Sequence, residues 1–300
     1  MLDSVFDKPG RYWKGNLHTH STESDGLLAP DDVCRIYRDA GYHFVAITDH
    51  FSERYGFPIT NTRPYWDDNF VTLLGAELHA DATELGDTWH ILAVGLPVNF
   101  QPTPPTENGA ALAGRALEAG AYVAVAHPYW YNLSEYDICS LGPVHAVETW
   151  NGTAVDDSDR ADGWYILDNL LARGSRYFAC TTDDAHFDPK RSDALRAWAW
   201  VKAEALTPES ILISLKAGDY YSSSGPMIHD IRVFPSEKIV VRCSPASRVF
   251  VTGRGANFIS AYGVNMTEAE LSLRRFTGPY CRVTVRDEQG RKAWSNPIWF

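Results

Sequence analysis

From the N-terminus to about residue 218, short β-branched or aromatic runs alternate with segments whose apolar residues recur at helical spacing. The first kind of run suits a pleated strand, and a single apolar stripe at about 3.6 residues per turn suits a helix lying on a sheet. Strands are expected at Tyr12 to His20, Phe44 to Asp49, Val71 to Leu78, Trp89 to Leu96, Tyr122 to His127, Ala146 to Trp150, Phe178 to Thr182 and Ala197 to Lys202. Helices are expected at Pro30 to Ala40, Gly109 to Ala119, about Asp159 to Arg173, and between the N-cap Thr207 and the stop Gly218. The first opens on Pro30 with Asp31 and Asp32 in its first turn and stops at Gly41, which matches the charge and conformational preferences of helix ends. Such alternation marks an α/β fold with a mainly parallel sheet, and periodicity leaves open whether that sheet is open or closed into a barrel.

After the turn-rich stretch Ser222 to Pro226 the pattern changes to short alternating runs, among them Ile228 to Phe234, Ile239 to Cys243, Arg248 to Thr252 and Tyr280 to Arg286. Two domains follow: residues 1–225, and a small all-β sandwich over 226–300. The formal net charge of −11 argues against tracking a nucleic-acid backbone, so a small-molecule partner is expected rather than a nucleic-acid polymer. No run reaches the roughly 20 apolar residues of a membrane helix, and the first 15 residues carry Asp3, Asp7, Lys8 and Arg11 without an apolar stretch; the expectation is a cytoplasmic protein with no membrane partner. Oligomeric state is not legible. Five scattered cysteines read as reduced core residues, with a Cys243 to Cys281 pairing as the alternative.

The sharpest local signal is His18-Thr19-His20 at a strand end, where side chains two apart share a face and can hold one cation. Further ligating residues stand where other strands end. Asp49-His50 closes one apolar run, Glu77 another, His127 a third, and Asp184-Ala185-His186 follows a fourth, while His90 lies inside Trp89-His90-Ile91-Leu92. In parallel α/β sheets the C-terminal strand ends face the functional crevice, so these positions would converge. Reading His18, His20, His50, His90, His127 and His186 as ordinary core or loop histidines would need six coincidences. Imidazoles mixed with carboxylates, without thiolates, suit zinc, manganese or iron. The set is too large for one ion, so a cluster of two or three divalent metal ions is expected, with Glu77 as the natural bridge.

Gly15-Asn16-Leu17-His18-Thr19-His20, Ser24-Asp25-Gly26, Ala46-Ile47-Thr48-Asp49-His50, Gly75-Ala76-Glu77, Ala126-His127-Pro128 and Asp184-Ala185-His186 resemble, in order and spacing, the PHP (polymerase and histidinol phosphatase) superfamily of metal-dependent phosphoesterases, over about residues 10 to 225. The resemblance implies a distorted (β/α)7 TIM-like barrel with up to three metals at its C-terminal mouth. It places His18, His20, Glu77 and Asp184, the expected catalytic set, on the first ion. It places Glu77, His90 and His127 on the second, and Asp25, His50 and His186 on the third. Asp25 stands where some members have histidine. The stretch Tyr221 to Pro226, with a tail ending Gly290-Arg291-Lys292-Ala293-Trp294-Ser295-Asn296-Pro297, resembles the branch that includes carbaryl hydrolases.

The expected function is hydrolysis of a small phosphate ester by a hydroxide bridging two metals, and the alternative is hydrolysis of a carbamate, carboxylic ester or amide by the same cluster. A metal-binding regulatory module is a third reading, which the complete ligand set disfavours. Tyr129, Trp130, Arg160 and Arg191 are the candidate substrate-binding residues, the aromatics for stacking and the arginines for a phosphate. His79 is read as structural or as an accessory to the site. Asp49, Asp183 and Glu148 are read as carboxylates that could orient ligand imidazoles.

Overall fold

The computed structural model describes residue 2 and residues 4–300. In chain order its elements are β1 (Arg11–Asn16), α1 (Pro30–Asp39), β2 (Phe44–Ile47), β3 (His50–Phe51), β4 (Val71–Ala80), β5 (Trp89–Val94), α2 (Gly109–Glu118), β6 (Tyr122–Val125), α3 (Glu135–Ser140), β7 (Ala146–Asn151) and α4 (Gly152–Asp157). There follow α5 (Trp164–Ala172), β8 (Phe178–Thr182), β9 (Trp198–Ala203), α6 (Pro208–Ala217), β10 (Tyr220–Ser223), β11 (Ile228–Phe234), β12 (Lys238–Gly253), β13 (Phe258–Ser272), β14 (Tyr280–Arg286), β15 (Lys292–Ser295) and β16 (Ile298–Trp299).

Local chemistry accounts for the helix limits. In α1 the buried Val33, Cys34 and Tyr37 lie on one face, and α6 starts where Thr207 Oγ1 accepts the Ser210 N–H and stops at Gly218, which has φ 75°. The helix expected from Asp159 begins only at Trp164, because Asp159 sits at φ 57° and the Asp162 carboxylate accepts the Trp164 N–H at the true start. All five cysteines are free, so there is no Cys243 to Cys281 bridge.

The fold is mixed α/β with one large sheet, in the order β11-β12-β14-β15-β10-β9-β1-β2-β4-β5-β6-β7-β8. It departs from the mainly parallel expectation. β1, β2 and β4 pair in parallel, as do β6, β7 and β8, but β5 is antiparallel to both β4 and β6, and β9 is antiparallel to β1. The expected closed (β/α)7 barrel is not reproduced either, because β8 ends the hydrogen-bonded order and the sheet is not closed. Side chains bridge the gap between β8 and β10: Asn296 Oδ1 accepts the Ala179 N–H at 2.8 Å, Asn296 Nδ2 donates to the Gly218 and Tyr220 carbonyls, and Ser222 Oγ donates to the Ala179 carbonyl.

Apolar layers lie on both faces of this curled sheet. One includes Leu17, Phe44, Leu73, Leu92 and Ala124, and the other packs Ile91, Val123 and Val125 against Leu112 of α2 and Leu167 and Leu171 of α5. Each fully buried side chain of this size contributes roughly 1.5–3 kcal/mol. The C-terminal β region has its own core of Ile231, Val241, Val249, Val283 and Val285. It is not a free-standing sandwich: β15 pairs antiparallel with β10, so its strands continue the large sheet across residue 225. β12 runs unbroken through Ser244 and Pro245, which the alternation pattern reads as an interruption, because bulges between Arg242 and Arg248 absorb them.

Candidate metal centre

The ligating residues meet at one end of the sheet. Beyond β1 and β8 the chain segments stay together: the His20 N–H donates to the Ala185 carbonyl and the Asp184 N–H to the His18 carbonyl, both at 2.9 Å. His18-Thr19-His20 is thereby pinned against Asp184-Ala185-His186. His50 and Glu77 are direct partners in the β3–β4 register. His90 stands at the start of β5 rather than its end, and it reaches the same mouth because β5 runs antiparallel. Gly26 closes the loop behind His20, where a Cβ would lie 2.6 Å from the His20 carbonyl.

Glu77 is the hub. Its Oε1 lies 2.8 Å from His127 Nε2, 2.9 Å from His90 Nδ1 and 3.5 Å from His18 Nε2, and its Oε2 lies 2.7 Å from His50 Nδ1 and 3.7 Å from His20 Nε2. Asp184 Oδ1 lies 2.9 Å from His20 Nε2 and 3.2 Å from His18 Nε2. Asp25 is 3.4 Å from both His50 Nε2 and His186 Nε2. Four overlapping groups have ligand atoms close enough to hold an ion: His20, Asp25, His50 and His186; His50, Glu77, His79 and His90; His18, His127 and Asp184; and His18, His20 and Glu77. All nine ligands expected from sequence are brought together, and His79 joins them, with its Nε2 2.8 Å from His50 Nδ1.

This donor set fits divalent cations. His18 Nε2 and His127 Nδ1 are buried without a hydrogen-bond partner, a costly state for polar atoms unless another group satisfies them. Burial raises the Glu77 carboxyl, but the charges of His90, His50 and His18 outweigh it and hold the group well below the usual range. Asp184 is likewise held low, against burial, chiefly by His18 and His20. Both carboxylates are therefore ionised inside the protein. Two of the ligands carry backbone strain: His127 has φ 23° and Asp184 φ 53°, conformations that persist where surrounding bonds enforce them.

Glu148 supplies that enforcement. Its Oε2 accepts the His127 N–H at 2.6 Å and an Asn151 Nδ2–H at 2.9 Å, while its Oε1 lies 3.1 Å from His18 Nδ1 and accepts the Thr182 hydroxyl. It thus orients an imidazole, as the sequence allowed. Asp49 and Asp183 do not. Asp49 accepts from the Ser21 N–H and the Ser21, Ser24 and Thr60 hydroxyls, and Asp183 accepts from Tyr37 and the N–H groups of Leu195, Arg196 and Ala197, so both hold loops instead.

The cluster opens into a cavity of about 250 Å³, walled by Leu27, Trp130, Tyr131, Thr153, Asp188 and Arg191. Of the four candidate substrate-binding residues, Trp130 and Arg191 line it, and Arg191 Nε is 2.9 Å from Asp157 Oδ1. Tyr129 and Arg160 stand outside; Tyr129 is exposed, and Arg160 donates to the Trp130 carbonyl. Tyr131, which follows Trp130 directly in the chain, places its hydroxyl 3.0 Å from His90 Nε2. A larger cavity of about 560 Å³ lies between the N-terminal segment and β16, walled by Phe6, Tyr221 and Trp299 around the Lys8–Asp219 pair. None of the four ion-holding groups borders it, so the smaller cavity is the chemical one.

No family model and no curated protein matches the sequence. Among solved structures the chain is similar to a two-domain protein from Bacteroides vulgatus containing a predicted PHP-like metal-dependent phosphoesterase, with TM-score 0.51, 12% identity, and coverage of 93% of this chain and 92% of that one. A proposed metal-dependent phosphoesterase from Bifidobacterium adolescentis aligns with TM-score 0.45 and 16% identity over 68% of this chain and 95% of that one. An amidohydrolase from Chromobacterium violaceum, with sulfate bound and no metal, aligns with TM-score 0.43 and 15% identity over 60% and 89%. At 12% identity the likeness to the Bacteroides vulgatus protein is one of fold alone, and it extends over most of the chain, including the C-terminal β region joined to the same sheet.

Proposed function

We propose that the chain is a metal-dependent hydrolase acting on a small phosphate ester. The observation that carries the reading is the convergence of nine imidazole and carboxylate side chains distant in sequence, with His18 Nε2 buried and making no hydrogen bond. In this reading His18, His20, Glu77 and Asp184 hold one ion, His90 and His127 join Glu77 around a second, and Asp25, His50 and His186 offer a third place. Divalent zinc, manganese or iron there would supply Lewis acidity and lower the pKa of bound water toward about 7. Glu77 is suited to bridging because its two oxygens face different histidines. Glu148 fixes His18 and His127. Burial and the nearby Glu77 push the Tyr131 hydroxyl above its ordinary range, so it stays protonated and is placed to give its proton to a leaving group.

The second reading is hydrolysis of a carbamate, carboxylic ester or amide. The cavity wall favours it: among the described residues lining it Arg191 is the one arginine or lysine, and it is engaged by Asp157, while Trp130, Tyr131 and Asp188 stand beside it. A phosphate dianion would want more free positive charge than this. The discriminating experiment is a turnover screen of metal-reconstituted protein on phosphate mono- and diesters beside aryl carbamates and esters. Preference for phosphate esters supports the first reading, preference for carbonyl substrates replaces it with the second, and no metal-stimulated turnover of any class counts against both.

A further inference from the structure

The C-terminal β region carries a row of cations that the chemistry of the His/Asp/Glu cluster does not use. Arg248 on β12 directly faces Arg286 on β14, and Arg286 directly faces Lys292 on β15. Like charges so opposed destabilise a sheet. They recur here across three adjacent strands of a chain whose formal net charge is −11. Several other cations of the region have carboxylate partners, as in Lys238–Glu270, Arg242–Glu268, Arg282–Asp168 and Arg291–Asp287; Arg254, Arg274 and Arg275 lie outside the strands and do not face one another in the sheet registers. Arg248, Arg286 and Lys292 form no such pair among the described residues.

Aromatic rings flank the two arginines and leave most of the row's donors unused. The Arg248 guanidinium lies 4.4 Å from the Tyr262 ring centroid and that of Arg286 lies 5.4 Å from the Phe250 ring. Stacking holds a guanidinium plane without engaging its N–H groups. Arg248 makes one long hydrogen bond, 3.4 Å to the Ser247 carbonyl, and among the described residues the Arg286 and Lys292 side chains donate none. The three line an open cleft of about 470 Å³ together with Ser247 and Glu288, while Asp287 on the same cleft is turned to Arg291 at 2.7 Å. With strands about 4.8 Å apart, the row spans roughly 10 Å, a reach suited to two linked phosphates. The registers Gly15↔Ala199↔Ser222↔Trp294↔Thr284↔Phe250 set the row toward the end of the sheet at which β1 leads into His18.

We propose that Arg248, Arg286 and Lys292 form an anion site for a small soluble ligand bearing two or more phosphate groups. The inference does not depend on the hydrolase reading. Inorganic pyrophosphate is the probe, titrated calorimetrically into the whole chain as purified and after chelation, because metals held by the His/Asp/Glu cluster would bind it too. The expected result is a saturable component that survives chelation, weakens about tenfold in Arg286→Gln and in Lys292→Gln through loss of a charge-assisted hydrogen bond, and is unchanged in Lys238→Gln. Without pyrophosphate, Arg286→Gln should melt no lower than wild type, since it relieves repulsion. Absence of a chelation-resistant component, or one equally strong in both row variants, would overturn the proposal. Binding to phosphatidic-acid vesicles with none to pyrophosphate would overturn the choice of ligand.

Discussion

Replacing Glu148 by glutamine keeps the side chain's shape and puts an NH₂ group where one of two acceptor oxygens stood. Burial raises this carboxyl, but His18 and His127 outweigh that effect and keep it below its ordinary value, so both oxygens accept in the native protein. Oε1 meets His18 Nδ1 and the Thr182 hydroxyl, and Oε2 meets the His127 N–H and Asn151 Nδ2. Turned toward His127 and Asn151 the amide meets two donors, and turned toward His18 it meets an imidazole N–H and a hydroxyl that can rotate to accept. Losing one or two hydrogen bonds to a charged group, at about 1.5–3 kcal/mol each, gives a loss of roughly 1.5–6 kcal/mol, before any relaxation. His18 and the strained His127 backbone would both be released, and metal affinity should fall about 10–100-fold. Urea unfolding of the chelated protein measures the first effect, and competition against a chromophoric chelator measures the second. Stability within about 0.5 kcal/mol of wild type, together with unchanged metal affinity, would refute the idea that Glu148 positions the ligands.

Two further outcomes follow from particular contacts. Asn296→Ala removes the bonds to Ala179, Gly218 and Tyr220 that bridge β8 to β10; it should lower unfolding free energy by about 2–4 kcal/mol, and an unchanged urea midpoint would show the seam to be held by packing alone. Tyr131→Phe should slow turnover of alkyl esters about a hundredfold while sparing p-nitrophenyl esters, whose leaving group needs no proton; equal loss on both would remove Tyr131 as the proton donor.

Most of the ligand set was legible because its residues interrupt or end apolar runs, as His50 follows Phe44-Val45-Ala46-Ile47 and His127 follows Tyr122-Val123-Ala124-Val125-Ala126, whereas Asp25 in Ser24-Asp25-Gly26 ends no such run and came from the family resemblance alone. Strand direction was not, since parallel and antiparallel partners place the same demands on Trp89–Val94, and only pairing shows that β5 runs backwards. The helices Glu135–Ser140 and Gly152–Asp157 escaped notice because six residues are too few to display a helical period. Strand β13 was invisible for another reason: it pairs only with β12 and leaves Phe258, Tyr262 and Val264 exposed, so it lacks the alternation of a half-buried strand. That the C-terminal strands continue the large sheet through β10 and β15 depends on partners some 70 residues apart, which no local pattern encodes. His79 was set aside in the sequence, and its place beside His50 follows from the same β4–β5 pairing that puts His79 opposite His90.

The central claim is that these side chains cage more than one divalent cation around Glu77. Elemental analysis of the purified chain after metal reloading and exhaustive dialysis tests it most directly. The account predicts more than one tightly held transition-metal ion per chain, with a clear drop in Glu77→Gln because that substitution removes the shared carboxylate. A chain that retains no metal after reloading, or a Glu77→Gln variant that retains as much as wild type, would contradict it.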